Sequence, residues 1–286
     1  MRYSFKILHF AISRHSENRI ALCLRLRRFS LPRLPRGPPG LILAYITLYP
    51  PHALDIALSE PFYNGTKFAL NRIPVMVWIH RLFRIVPFFI GFSALFVIIQ
   101  NLRNKVPPYK LGEVGNRRAL YLILGMLASV FLVKFLKDTT GVHCPYAVEV
   151  FSGNAPLLSP VLSFHKNPGH CWPSGFTGTA FCCFAMYFAF RDVRPRLARG
   201  SLIFTWVFGI VCSVIQVMRG EHFMSHTLAT ALFDWLTCAL LYCVFFSKEI
   251  WQQFIVKSHA SDSGSSGGPM LREAVAPVRI EDRENR

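Results

Sequence analysis

Long apolar stretches separated by short basic segments dominate this chain. The stretches run from about Leu41 to Leu58, Leu82 to Gln100, Ala119 to Leu136, Gly175 to Phe190, Ser201 to Met218 and Thr227 to Phe246. Apolar runs of roughly 16–20 residues are long enough to cross, or nearly cross, a bilayer core. The pattern predicts an all-α fold, a polytopic membrane helical bundle of about six spans. The first segment carries the weakest signal, because Pro50, Pro51, His52 and Asp55 interrupt it. Three regions follow. Residues 1–40 read as a basic, Pro-rich, disordered arm, residues 41–247 as the six-span domain, and residues 248–286 as a cytoplasmic tail. The tail turns Ser/Gly-rich from Ser258 and then charged, a composition that favours disorder.

Composition sharpens this picture. Of 286 residues, 52% are hydrophobic and 16% are charged, whereas a soluble domain is about a quarter charged. That deficit excludes an ordinary soluble domain and a disordered chain. The net charge of +17 invites a nucleic-acid reading, but its distribution argues for membrane topology instead. Residues 1–39 hold nine Lys or Arg against the single acid Glu17, and most other basic residues sit between apolar runs. No helix-turn-helix, zinc-finger or aromatic RNA-binding signature accompanies them, so no nucleic-acid partner is expected.

Basic loops orient the spans, since positive loops stay in the cytoplasm. Arg103, Lys105, Lys110, Arg117 and Arg118 follow the second segment, and Arg191, Arg194, Arg196 and Arg199 follow the fourth. Both loops and both termini are therefore expected in the cytoplasm. Lys137–Pro173 and Arg219–His226 then face outward. Lys67, Arg72 and Arg81, in the first outer loop, fit the rule less well. The expected location is a cell membrane, the inner membrane of a bacterium.

The outward loops hold most of the polar chemistry. One begins Lys137-Asp138-Thr139-Thr140-Gly141-Val142-His143-Cys144-Pro145 and closes Gly169-His170-Cys171-Trp172-Pro173-Ser174-Gly175. The other reads Arg219-Gly220-Glu221-His222-Phe223-Met224-Ser225-His226. Lys137, Arg219 and several histidines gathered at helix ends suit an anion. Ser174 and Gly175, at a helix start, add free N–H groups and the positive end of a helix dipole. The phosphate of a membrane lipid is the natural ligand.

These loops resemble the type-2 phosphatidic acid phosphatases, relatives of the vanadium haloperoxidases. That family carries Lys, six residues, then Arg-Pro; next Pro-Ser-Gly-His; then Arg, five residues, His, three residues, Asp. Lys137 and, six residues on, a dipeptide ending in Pro145 fit the first element. Pro173-Ser174-Gly175 fits the second, and Gly220-Glu221-His222-Phe223-Met224-Ser225 is similar to the core of the third. Their order and their placement relative to the spans match as well. The resemblance covers about Ala119 to Phe246, and it departs from the family at four positions. Cys144 replaces Arg, Phe176 replaces the second-element His, Gln216 stands at the Arg position, and His226 stands at the Asp position.

The resemblance implies a lipid phosphatase or phosphotransferase working through a phospho-histidine, without metal or organic cofactor. His222 would attack phosphorus, and His226 would orient it as a neutral acceptor. Lys137 and Arg219 would hold phosphate oxygens. His170, four residues before Ser174, is the nearest replacement for the missing proton donor, whose loss costs about 10²–10⁴ in rate. Cys144 and Cys171 flank the outer loop beside the first two elements, and an oxidising compartment permits them to pair. The substrate could be phosphatidic acid, an isoprenyl diphosphate, phosphatidylglycerol phosphate or a lipid A phosphate. Phe176 favours a rival, a catalytically impaired relative that binds phospholipid headgroups or a partner membrane protein. A transporter is a weaker rival, because no span carries the buried carboxylate typical of one and Asp234 in the sixth segment is the only candidate. The i, i+4 pair His222 and His226 has a spacing that suits a metal, but the Glu that follows the first His of a zinc-protease motif is absent.

Overall fold

The computed structural model describes residues 45–71, 73–103, 115–160, 163 and 169–263, with side chains through residue 247. Among the described residues, and besides a helical stretch at 45–48, seven α-helices follow one another: α1 His52–Ser59, α2 Pro74–Leu102, α3 Asn116–Thr139, α4 Gly175–Phe181, α5 Phe184–Phe190, α6 Pro195–Met218 and α7 Met224–Ser263. The chain divides into two compact units, residues 1–245 and 246–286. Within α7, Phe246 leaves helical geometry at φ −117°, ψ 23°. The arm expected over residues 1–40 lies outside the described residues. The tail expected to be disordered is helical over its described part, through Ser263.

Among the described residues, four helices are long and apolar enough to cross a membrane: α2, α3, α6 and the Met224–Ser247 part of α7. The protein is an all-helical membrane bundle. The fourth expected segment is two helices, α4 and α5, separated by a turn at Cys182–Cys183. Its sixteen residues, Gly175–Phe190, rise about 24 Å, less than a core of about 30 Å. The first expected segment departs furthest from its expectation. Its described part is helical at 45–48, breaks at Tyr49–Pro51, and resumes as the eight-residue α1. Pro50 and Pro51 lack the N–H groups that a continuous helix needs.

Packing explains which helices face which. On α2, Trp78, Leu82, Ile85, Phe88, Phe92 and Phe96 are exposed, as side chains facing lipid are. On α6, an added Cβ at Gly209 would meet the Phe181 ring at 2.1 Å. The missing side chain lets α4 and α6 close, and overpacking there costs about 1–3 kcal/mol. Phe176, Ala180, Phe208 and Cys212 are buried between these helices, with Phe83 and Val86 of α2 packed on them. At the loop end, Phe68, Val148, Phe151 and Phe223 form a second apolar cluster.

Candidate active site

The C-terminal ends of α3 and α6 meet the N-terminal ends of α4 and α7 at one end of the bundle. Lys137 lies in the last turn of α3, Gly175 and Phe176 open α4, Gln216 lies in the last turn of α6, and Arg219 to His222 join α6 to α7. With His80 and Arg84 of α2, all of these except Gly220 wall a cavity of about 550 Å³.

Local chain chemistry delivers His222 to that cavity. Helix α6 ends because Gly220 takes a left-handed conformation, φ +66°, the usual glycine stop. A Cβ at Gly220 would also strike the Phe68 ring at 2.2 Å. The Glu221 N–H donates to the Gln216 carbonyl at 3.0 Å, and the Tyr146 N–H donates to the Gly220 carbonyl at 3.0 Å. Beyond the turn, buried Asp55 of α1 receives the Ser225 N–H at 2.9 Å and the Ser225 hydroxyl at 2.5 Å. A carboxylate thus satisfies an orphan donor at the start of α7. Burial raises the Asp55 carboxyl above its ordinary value, although the Ser225 bonds and His52 oppose the shift.

The loop Lys137–Pro173 folds back onto the same point. The Gly169 N–H donates to the Thr140 carbonyl at 3.1 Å, the Cys171 N–H to the Val142 carbonyl at 3.2 Å, and the Thr140 hydroxyl to the Trp172 carbonyl at 2.8 Å. Cys144 and Cys171 form a disulfide. The Cys171 carbonyl is thereby held 2.9 Å from His222 Nδ1. A carbonyl only accepts, so Nδ1 carries the proton and Nε2 keeps its lone pair. His222 is 3% exposed. Burial, then the charges of Lys137, His226 and Arg219, push its pKa well below the ordinary imidazole value, and the Cys171 carbonyl only partly offsets them. The imidazole is neutral at pH 7 and is a competent nucleophile.

Cations surround this base. Arg219 is braced three ways: Nε donates to the Asn71 carbonyl at 3.3 Å, Nη1 to Gln216 Oε1 at 3.2 Å, and Nη2 to Glu221 Oε1 at 3.3 Å. Gln216 sits where the resembled family has its arginine, and it orients Arg219 instead. Lys137 passes close to Gly175, where an added Cβ would lie 3.6 Å from its Nζ. Such a cluster of preorganised cations holds a phosphate well.

Other expected site residues are placed differently. Ser174 is buried with no hydrogen-bond partner on its Oγ, and its N–H donates to Thr230 Oγ1 at 2.8 Å. That donor is taken by the protein, and Ser174 is not among the residues walling the cavity. His170 does not wall the cavity either. Its side chain is 57% exposed, with Nδ1 3.4 Å from Asp138 Oδ1. His226 is buried, its ring centroid 6.0 Å from that of His222, and its Nδ1 has no partner. The acceptor orienting His222 is a backbone carbonyl. Cys171, His222 and His226 bring ligand-type atoms within 4.8 Å of one another. The Cys171 sulfur is committed to the disulfide and offers no thiolate to a metal.

His80 and Arg84 lie outside the motifs that the sequence displays. Their signal is an imidazole and a guanidinium four residues apart, at the start of the second apolar stretch and on one helix face. Ionisable groups inside a span face the bundle interior or a polar cavity. His80 stacks on Phe176, with ring centroids 4.1 Å apart and planes at 23°.

No curated protein and no solved structure matches this chain. A family model does: residues 118–250, which carry Lys137, Gly175, Arg219 and His222, match the PAP2 superfamily.

Proposed function

We propose that this protein is a lipid phosphate phosphatase or phosphotransferase acting through a phosphorylated His222. The match of residues 118–250 to the PAP2 superfamily supports activity of the phosphatase type. The observation that carries the finer reading is the His222 geometry. Its Nδ1–H is fixed on the Cys171 carbonyl, so Nε2 is the free base of a cavity ringed by Lys137, Arg84 and Arg219. His222 Nε2 attacks phosphorus, the cations take up the charge on the phosphoryl oxygens, and the leaving alcohol departs. Water then cleaves the phosphorus–nitrogen bond and releases phosphate. None of these steps calls for a metal or organic cofactor. The apolar helices beneath the cavity suit a substrate whose chains stay in the bilayer. Candidates are phosphatidic acid, an isoprenyl diphosphate, phosphatidylglycerol phosphate and a lipid A phosphate.

The basic loops support a site on the outer face of a cell membrane, with both termini in the cytoplasm. The Cys144–Cys171 disulfide supports that side, because disulfides persist in oxidising compartments. The test is phosphate release from a panel of lipid phosphates by purified protein in chelator. Release that disappears in His222→Ala supports the reading. Phe176 favours a second reading, since it is 4% exposed and fills the position of the family's proton donor with a ring that has no proton to give. Headgroup binding without release from any substrate in the panel would select that reading, an impaired relative that binds phospholipid.

A further inference from the structure

The structure assigns His80 of α2 as the group that protonates the leaving-group oxygen. This inference rests on the phosphatase reading and adds a residue outside the segment that matches the superfamily. Three observations carry it. The His80 ring lies on the Phe176 ring, 4.1 Å between centroids and 23° from parallel, so an imidazole sits one stacking distance from the side chain that displaced the family's histidine. His80 walls the same cavity as His222, Lys137 and Arg219. Arg84, one turn further along α2, walls it too, so one helix face brings an imidazole and a guanidinium to the phosphate together.

Other proton donors are less well placed. His170 is exposed beside Asp138 and does not wall the cavity. His226 does not wall it either. Glu221 walls it, but as a carboxylate held by Arg219 at 3.3 Å. Asp138 is held by Lys134 at 2.7 Å.

The step balances as follows. His222 Nε2 donates its lone pair to phosphorus, and the phosphorus–oxygen bond to the lipid breaks. The bonding pair moves to the leaving oxygen, which takes a proton from the His80 imidazolium and departs as the alcohol. His80 is left neutral. In the second half, water attacks phosphorus while His80 accepts its proton, and the phosphorus–nitrogen pair returns to His222. Phosphate leaves and His80 is an imidazolium again. The bound phosphate dianion offsets the charges of Lys137, Arg84 and Arg219 around His80.

The experiment compares His80→Gln with the natural protein on two substrates: a dialkyl-glycerol phosphate, whose alkoxide needs a proton, and 4-nitrophenyl phosphate, whose phenolate does not. A general acid is worth about 10²–10⁴ in rate. The expected result is a loss of that size on the alkyl substrate and a loss of less than about tenfold on the aryl one. The double variant His80→Gln/Phe176→His returns the proton donor to the neighbouring ring position, and alkyl turnover is expected to recover at least about tenfold. Equal losses on both substrates, no loss on either, or no recovery in the double variant would overturn the assignment. Absence of release by the natural protein from both substrates would instead overturn the phosphatase reading, and this assignment with it.

Discussion

The cavity has two facing walls of different origin. One comes from residues 118–250, the segment that matches the superfamily, and carries Lys137, Gly175, Phe176, Arg219 and His222. The other comes from α2, outside that segment, and carries His80 and Arg84. Relative to the family pattern, the first wall lacks an imidazole at Phe176 and guanidinium groups at Cys144 and Gln216. The second wall presents one imidazole and one guanidinium to the same space. Counting Arg219 on the first wall, one imidazole and two guanidinium groups stand at other positions in the chain, while the position of the family's Asp holds His226. What matters chemically is which groups share a cavity, and helix packing decides that.

The largest expected effect tests the first wall. His222→Ala removes the proposed nucleophile, and phosphate release should fall by about 10⁴-fold or more. Retained release would move the search to another base.

The next test sets one wall against the other. Lys137→Ala and Arg84→Ala should each lower kcat/KM by about 10²–10³, the scale of one preorganised donor to a developing charge. A loss confined to Lys137→Ala would show that the α2 wall takes no part in holding phosphate, and the comparison would break.

A smaller effect concerns the brace behind His222. The Cys144–Cys171 bridge spans a sequence separation of 27, and closing such a loop is worth about 3–4 kcal/mol by the chain-entropy argument. Cys144→Ser should lower the Tm of detergent-solubilised protein, measured without reductant. It should also lower kcat, because the Cys171 carbonyl that orients Nδ1 loses its tether. His226→Ala, by contrast, should cost about tenfold or less in kcat, because the observed acceptor for His222 is the Cys171 carbonyl.

The mildest test uses pH. His222 has its folded pKa pushed well below 6.5, chiefly by burial. Above pH 6.5 the imidazole is neutral in both folded and unfolded chains and adds no pH dependence. Below 6.5 the unfolded chain takes up a proton that the folded one refuses, so stability falls from there down towards the folded pKa. Tm measured from pH 7.5 to 5 should decline, and His222→Gln should flatten part of that decline. An identical slope in the variant would assign it to other groups.

Much of the bundle was legible in the chain because a bilayer imposes one rule: apolar runs long enough to cross it must be helical. The spans α2, α3, α6 and the first part of α7 follow from that rule alone, as does the gathering of two polar loops at one end. The first segment was not legible in the same way. Pro50 and Pro51 divide it, and α1 then anchors the start of α7 through Asp55 and Ser225, 170 residues apart. Motif spacing brought Lys137, Arg219 and His222 into view, since each sits at a helix end that the pattern already located. Motif spacing also pointed to Ser174 and His170, which the fold turns away: one N–H is consumed by Thr230, and the other side chain sits beside Asp138.

Sequence by itself determined the membrane, the helices and the nucleophile candidate, because hydrophobic length and short-range spacing are local properties. Only the tertiary structure decided which acceptor orients His222 and that His80 and Arg84 reach the same cavity. It also decided that Gln216 steadies Arg219. These are contacts between distant segments or across a helix turn, set by how α2, α4 and α6 close on one another around Phe176 and Gly209.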